Sequence, residues 1–320
     1  MTQDNKVAAL DAEGLTLKSV SLWQVTWRRL FRRRSAMVGL GILGALILIA
    51  FAAPLLAPYD PIRSMLDVDG YPREFAKRRA APCIHIMGDC PDEQPQHIMG
   101  LDGNVRDAFS RLLYGTRISL FIGFSTVTFA IVIGTVLGAV SGYFGGWLDN
   151  VIMRFMDVLL AFPSLLLAIA IVTVLGPGLT NALLAIGIVS IPSYARVVRS
   201  SVLSVREMDY VSATRALGGS NFDILFRRIL PNALTPLIVQ GTLGIASAIL
   251  DAAALSFLGL GAQPPLPEWG KMLADERNQV FTAPHLVFYP GFAIMLTVLA
   301  FNLLGDGLRD ALDPRLAHNT

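Results

Sequence analysis

Residues 206–232 read REMDYVSATRALGGSNFDILFRRILPN. This is the one long polar insertion between strongly apolar segments in the second half of the chain. It predicts two short helices joined by a tight turn. Gly218-Gly219 supplies the turn, because glycine adopts positive φ at little cost. Ser220 and Asp223 stand at capping-box spacing, with Asp where Glu or Gln is more common. Pro231 is expected to stop the second helix, since it cannot donate the next backbone bond. The first helix is charged at its start and carries small residues at Ser212, Ala213 and Ala216. Such a helix can lie flat at a membrane surface and let another surface approach closely.

The segments around this insertion have the composition of membrane spans. Of 320 residues, 53% are hydrophobic and only 16% are charged, well below the roughly 25% charged of soluble domains. A net charge of +2 is too small to point to nucleic acid, and the charges cluster between apolar runs. Ala36–Ala57 is uncharged and long enough for a hydrocarbon core, which needs about 20 apolar residues. It is too long and too far from the start to read as a cleaved signal peptide. Ile118–Gly142 is the second span. In it Gly134, Gly138 and Gly142 form one helical stripe, a signal for close helix packing. Val158–Ala195 carries no charge and is too long for one helix. Gly176-Pro177-Gly178 divides it into a third span, about Ile152–Leu175, and a fourth, about Leu179–Val198. Ala233–Ala262 is the fifth span and Leu286–Leu304 the sixth. The fold class expected is an all-α integral membrane protein with six transmembrane helices.

Between the spans the reading is less uniform. Residues 1–35 form a polar N-terminal tail ending in the basic segment Ser21–Arg34. Its arginines and Trp rings suit a membrane interface, and equally a flank that orients the first span. Residues 58–112 form a long polar loop with nine acidic and seven basic residues. Within it lie Cys83, His85, Cys90 and His97. Their spacing matches no standard zinc pattern. A Cys83–Cys90 disulfide, free thiols and a metal site stand side by side, the bridge being favoured in an oxidising compartment. Six spans put both termini on one side. On that side lie the N-terminal tail with seven Lys and Arg, the Tyr143–Arg154 link, the stretch from Arg196 through the insertion with six, and the C-terminal tail, while the opposite short loops carry almost none except Lys271 and Arg277. The positive-inside rule makes it cytoplasmic, since long loops translocate largely regardless of charge. The 58–112 loop is then external.

Four segments carry a resemblance. The insertion is similar to the coupling loop of bacterial ABC-importer permeases, whose pattern is EAA, three residues, Gly, nine residues, I-x-L-P. Ser212-Ala213-Thr214 stands in the EAA position, Gly218 in the Gly position and Leu230-Pro231 in the last two. Ser212 replaces the Glu, and Arg228 holds the Ile position. His97–Leu120, HIMGLDGNVRDAFSRLLYGTRISL, resembles HPLGTDxxGRDxxSRLIYGxRxSL of the dipeptide/oligopeptide/nickel permease family, with Val105 where that pattern has Gly. LSFLGLGAQPP with PEWGKML, and FNLLGDGLRDALDPR (Phe301–Arg315), are similar to the same family. The resemblance implies a type-1 ABC transmembrane domain, the second permease of a pair, with a permease core at 113–306 and a cytoplasmic tail at 307–320. It implies docking to an ATPase through Asp209, Tyr210, Ser212, Ala213, Thr214, Arg215, Gly218, Leu230 and Pro231. It implies a homologous second permease, two ABC ATPase subunits or domains, an external solute-binding protein and surrounding membrane lipid as partners. The membrane is then the bacterial or archaeal cytoplasmic (inner) membrane.

Two carboxylates fall within spans, where they are costly unless interfacial or paired. Asp157 is read as interfacial or bundle-facing rather than as a substrate contact. Asp251 lines a pathway or pairs with a neighbour; the similar family carries its acidic residue one place later, at Ala252. Asp306, Arg309, Asp310 and Asp313 are candidates for surface pairs, which contribute little. The chain has no G-x-x-x-x-G-K-[ST] sequence and no triad-like arrangement with supporting context. No cofactor is expected on this chain; ATP and Mg belong to partner subunits. The function expected is a permease subunit of an ATP-driven importer for dipeptides, oligopeptides or a related solute, not itself an enzyme. A secondary transporter driven by an ion gradient is the competing class, and would favour paired intramembrane carboxylates or broken helices at the midplane. A membrane scaffold without transport is a third.

Overall fold

The computed structural model describes residues 22–85 and 90–312. The predicted tail Thr2–Val20 and the C-terminal residues Asp313 and Arg315 lie outside them. The named elements among the described residues are all helical, and those of eight residues or more carry the labels that follow. In order they are α1 (Leu22–Arg32), α2 (Arg34–Leu56), α3 (Ala108–Phe144), α4 (Gly146–Leu160), α5 (Ser164–Leu175), α6 (Leu179–Arg206), α7 (Asp209–Ala216), α8 (Thr235–Phe257), α9 (Trp269–Glu276) and α10 (Pro284–Leu312). Five of these, α2, α3, α6, α8 and α10, are each long and apolar enough to cross a membrane. In such a solvent only helices or closed barrels satisfy their own backbone polar groups.

The sixth pass differs from the expected single helix over Ile152–Leu175. It is made by α4 and α5, bent by 91° at Ala161–Pro163. Proline disfavours helical geometry in the residue before it and lacks the N–H the next turn needs. Pro163 therefore ends α4 and begins α5, and the uncharged run hides a corner. Counting that pair as one pass, the described residues hold six candidate spans.

The direction of each pass follows from contacts at its ends. Arg206 at the end of α6 donates to the carbonyls of Gly142 (3.2 Å) and Tyr143 (3.1 Å) at the end of α3. Both helices therefore finish where the 206–232 insertion begins. At the opposite end the Gly178 N–H bonds to the Leu260 carbonyl, and the Trp269 indole donates to Leu112 at 3.1 Å. The start of α10 packs there too, Leu286 against Ala108. Its far end returns to meet α1 and α2, where Leu30, Ala36 and Ala311 bury one another. The described start and finish of the chain thus lie together, at the end that carries the insertion.

The tightest contact in the bundle is between α3 and α6. A Cβ on Gly138 would lie 2.3 Å from the Ala195 carbonyl oxygen, and one on Gly134 2.8 Å from Tyr194 Cβ. The predicted glycine stripe is this seam. With only hydrocarbon outside, close van der Waals packing of small residues is what holds such helices together.

Helix α3 has 37 residues, about 55 Å of helix against a hydrocarbon core of about 30 Å. Its N-terminal turns therefore stand clear of the apolar layer, inside a cap built by the described residues between 58 and 107. From sequence this is a loop without a sustained apolar period. In the fold it has a small core of its own, Met65, Leu101 and Val105, with Tyr59 and Tyr71 packed around it. The missed core is a matter of spacing: its members come from distant parts of the loop, not from one periodic run.

Val105 is buried and has φ +59°. Left-handed backbone costs a residue with a Cβ about 1–2 kcal/mol, and glycine is free of that cost. This is the position where the similar family pattern has Gly. At an ordinary buried valine, truncation to Gly is worse than truncation to Ala. Here Val105→Gly is expected to be no less stable than Val105→Ala, because relief of the backbone offsets the lost methyl. Thermal unfolding of the two purified variants in detergent decides it; a clearly lower Tm for the Gly variant rules out significant strain at 105.

Candidate functional site

The insertion forms a braced corner. Helix α7 ends at Ala216, and the N–H groups of Leu217, Gly218 and Gly219 return to the carbonyls of Ala213, Arg215 and Thr214. Gly218 has φ +81° and open space around it, so backbone conformation rather than crowding demands glycine. Ser220 then accepts the Asp223 N–H at 3.2 Å, one half of the expected capping box. The Asp223 carboxylate turns instead to Arg227, 3.1 Å away.

The second arm is not the helix that Pro231 was expected to stop. After Asn221–Asp223 the chain is π-helical over Ile224–Ile229 and continues as Leu230–Ala233. The Leu230 N–H reaches back to Leu225, a wide π-type bond. Pro231 lies in the first turn of Leu230–Ala233, where a missing N–H is least costly. The Arg228 carbonyl receives the Asn232 amide (2.8 Å) and the Tyr210 hydroxyl (3.2 Å). Tyr210 thereby ties the first arm to the second.

The corner is rooted in the bundle through its inner face. Val211, Ile224, Leu225 and Ile229 are buried, and Leu230 is half-buried. The Tyr143 hydroxyl at the end of α3 donates to Asn221 at 2.7 Å. The outer face is bare. Asp209, Tyr210, Ser212, Ala213, Arg215, Gly218 and Pro231 are exposed, and Thr214 is half-exposed. Leu217 is 89% exposed and Phe222 69%, with the Phe222 and Phe226 rings 4.6 Å apart. Neither phenylalanine nor the Tyr143–Asn221 and Tyr210–Arg228 ties was anticipated. An aromatic pair four residues apart inside a charged insertion was the available signal.

Behind the corner, charges pin α4 to its neighbours. Asp157 pairs with Arg196 of α6 at 2.5 Å, both half-exposed. Asp149, not singled out from sequence, accepts from Nε and Nη2 of Arg199, each at 2.6 Å, and from the Ser141 hydroxyl. Among the described residues Asp251 has no such partner. It lines a cavity of about 200 Å³ between the α4–α5 bend, α6 and α8, whose wall carries no Lys, Arg or His.

At the other end the family-like segment 97–120 clamps the cap to the bundle. Asp107 caps α3 by accepting the Ser110 N–H (2.7 Å) and holds His97 Nδ1 at 2.7 Å. Tyr71 faces His97 Nε2 at 2.8 Å. Burial, with Tyr59 and Asp107 nearby, pushes the Tyr71 pKa up to about 12, so its hydroxyl stays a donor. Asp102 accepts from Arg106 (2.9 Å) and lies 3.3 Å from Arg111. Glu276 of α9 binds Arg79 and the Gly103 N–H, each at 2.7 Å. Cys83 and Cys90 are joined through their sulfurs, with Cα atoms 5.4 Å apart. His85 lies close by and bonds to the Gln94 carbonyl at 2.7 Å. These groups are consumed by structure, and the arrangement suits holding a shape rather than making or breaking bonds.

Comparison with known proteins gives a consistent result. Residues 134–318 match the family described as binding-protein-dependent transport system inner membrane component. Residues 21–81 match the N-terminal TM domain of oligopeptide transport permease C. The chain is 49% identical to the dipeptide transport system permease protein DppC of Alkalihalophilus pseudofirmus, over 93% of this chain and 91% of that one. It is 46% identical to the glutathione transport system permease protein GsiD of Pectobacterium atrosepticum, over 92% and 91%. Among solved structures, inward-facing MetNI methionine ABC transporter matches with TM-score 0.53 at 19% identity, covering 63% of this chain and 97% of that one. That likeness is one of fold.

Glu268, at the start of α9, is buried and accepts the N–H groups of Gly270 and Lys271, each at 2.8 Å. Burial raises its pKa above the usual 4.5, against the pull of those bonds. The folded state therefore holds this proton to higher pH than the unfolded state does. Stability falls as pH rises from about 4.5 through the raised value, the sign required when the folded state binds more protons. Glu268→Gln is expected to flatten the profile of Tm against pH in that window. An unchanged slope assigns the pH dependence to other groups.

Proposed function

The chain belongs to the family of binding-protein-dependent transport system inner membrane components, and on that premise we propose how it works and what it carries. It is the permease subunit of an ABC importer, a pore subunit rather than an enzyme. Family membership sets aside the ion-gradient alternative. The relatives are named for transport of dipeptides, di- and tripeptides and glutathione, and we assign this chain to short peptides. It pairs with a homologous permease in the cytoplasmic membrane of a prokaryote, both termini inside. Two ATPase subunits carry ATP and Mg on the inner face, and an external binding protein delivers the solute. The cap, closed by Cys83–Cys90, faces outward.

The observation that carries the mechanism is the corner at 206–233. Its inner face is tied to α3 and α6, and its outer face offers small and apolar side chains to a partner. Asp209, Ser212, Ala213, Arg215, Leu217 and Phe222 meet the ATPase. Gly218 sets the angle between the arms, and Tyr210, Leu230 and Pro231 hold the second arm in place. When ATP closes the ATPase pair, a corner this well braced moves as one body. It passes the displacement into α3 and α6, and the two permeases rock between outward and inward openings.

Reconstitution of the permease pair with its ATPases and binding protein in proteoliposomes tests this reading. Peptide accumulation driven by ATP is expected; uptake by this chain alone on a sodium or proton gradient overturns it. Gly218→Val forces a β-branched residue to positive φ, a strain of about 1–2 kcal/mol or more, equivalent to roughly tenfold in a two-state population. Uptake per ATP hydrolysed is expected to drop by about that factor while the complex still assembles. Wild-type coupling in that variant removes the corner from the mechanism.

A further inference from the structure

Asp251 differs from the two carboxylates of α4. Asp149 and Asp157 each hold an arginine. The cavity around Asp251 presents serines 190, 193 and 247, the Tyr194 ring with its hydroxyl, and Gln240, but no cation. An uncompensated carboxylate in a span is expensive, and such residues face a cavity or pathway and mark what passes along it. The space is built into the fold. The α4–α5 corner draws the third pass aside and opens it, with Phe162 at the bend on its wall. On the α8 side Gly244 leaves room for Tyr194, whose hydroxyl oxygen lies 1.9 Å from where a Cβ would be. At about 200 Å³ it exceeds the roughly 150 Å³ cavity that accommodates benzene.

We propose that this cavity is a way-station for the solute, in which Asp251 binds the primary ammonium group at the amino terminus of the passing peptide. The inference rests on the peptide-importer reading and deepens it. An arriving ammonium supplies the charge that Asp251 lacks. The serines, Tyr194 and Gln240 offer hydrogen bonds that any peptide backbone can use, whatever its side chains. Apolar residues Leu159, Leu160 and Phe162 face the rest. The arrangement selects for a free amino terminus and is indifferent to sequence, and attraction to one carboxylate is weak enough to release the solute.

The test uses the assembled, nucleotide-free importer in nanodiscs, carrying Ser193→Cys, with Cys83 and Cys90 occupied by each other. The cysteine is titrated with cationic ethylammonium and anionic ethylsulfonate methanethiosulfonates. The cationic reagent is expected to react roughly tenfold faster because of the nearby unpaired charge. Millimolar glycylglycine is expected to slow it, and N-acetylglycylglycine is not. Asp251→Asn removes both differences, and Asp251→Glu retains them. Equal rates for the two reagents, as when a cation of the second permease neutralises Asp251, overturn the proposal. So does equal protection by the acetylated peptide, or protection by potassium or calcium ions as good as that by glycylglycine. The reagent and peptide comparisons decide the matter even if Asp251→Asn fails to assemble. ATP-driven uptake by the unmodified complex is measured alongside. Its absence sinks the importer reading, whereas uptake with flat labelling sinks only the role of Asp251.

Discussion

The close approach of α3 and α6 along Gly134, Gly138 and Gly142 is the contact from which the rest of the structure hangs. A membrane supplies no hydrophobic driving force between helices, so packing and polar ties must do that work. The glycine seam lets two backbones meet, and α3 is long enough to emerge from the apolar layer. One end of it enters the cap; the other ends at Tyr143, beside the corner. The seam therefore sets the position of both functional ends of the molecule at once. A residue with a side chain at 138 would meet the Ala195 backbone, which has no rotamer by which to yield.

Charge is distributed by the same constraint. Nearly every ion pair lies at one end of the bundle or the other. Asp102, Arg106 and Arg111 knit the cap to the head of α3, and Arg79 with Glu276 fastens it to α9. At the opposite end Asp149 with Arg199 and Asp157 with Arg196 hold α4 on α6. Paired charges near an interface contribute modest energy, yet they fix register, because removing one partner leaves the other stranded. Asp251 breaks this pattern, and the cavity beside it is where the chain's polar side chains turn inward instead of toward an end.

Much of this was legible in the sequence. The spans followed from uncharged runs, the glycine seam from its spacing, and the turn at Gly218 from the glycine pair beside a capping serine. What stayed hidden involved residues whose effect depends on a distant partner. Pro163 passed without notice inside a long uncharged run, and it makes a right-angle corner. Pro231 looked like a helix stop, and a widened π turn before it lets the helix continue. Met65, Leu101 and Val105 meet only once the cap has folded. Tyr143 and Asn221 lie far apart in the chain, so no local pattern announced their bond.

The π turn at Ile224–Ile229 explains how the corner can be both stiff and correctly aimed. A strict α-helix would rotate each residue by a fixed angle and carry the Phe222 and Phe226 rings around with it. A π segment adds a residue to the turn and shifts the phase between the helical turns on its two sides. Ile224, Leu225 and Ile229 can then all point into the bundle while Phe222 stays at the surface. The side chain of Asn232 and the hydroxyl of Tyr210 meet the Arg228 carbonyl near the end of that segment, which gives that carbonyl two partners despite the irregular backbone. Stiffness and aim thus come from one local departure from ideal geometry. Between Gly218 and the start of α8 the chain is helical apart from Gly219-Ser220, which the Ser220 cap braces, and the turn at Leu234, so a force applied at α7 is passed on.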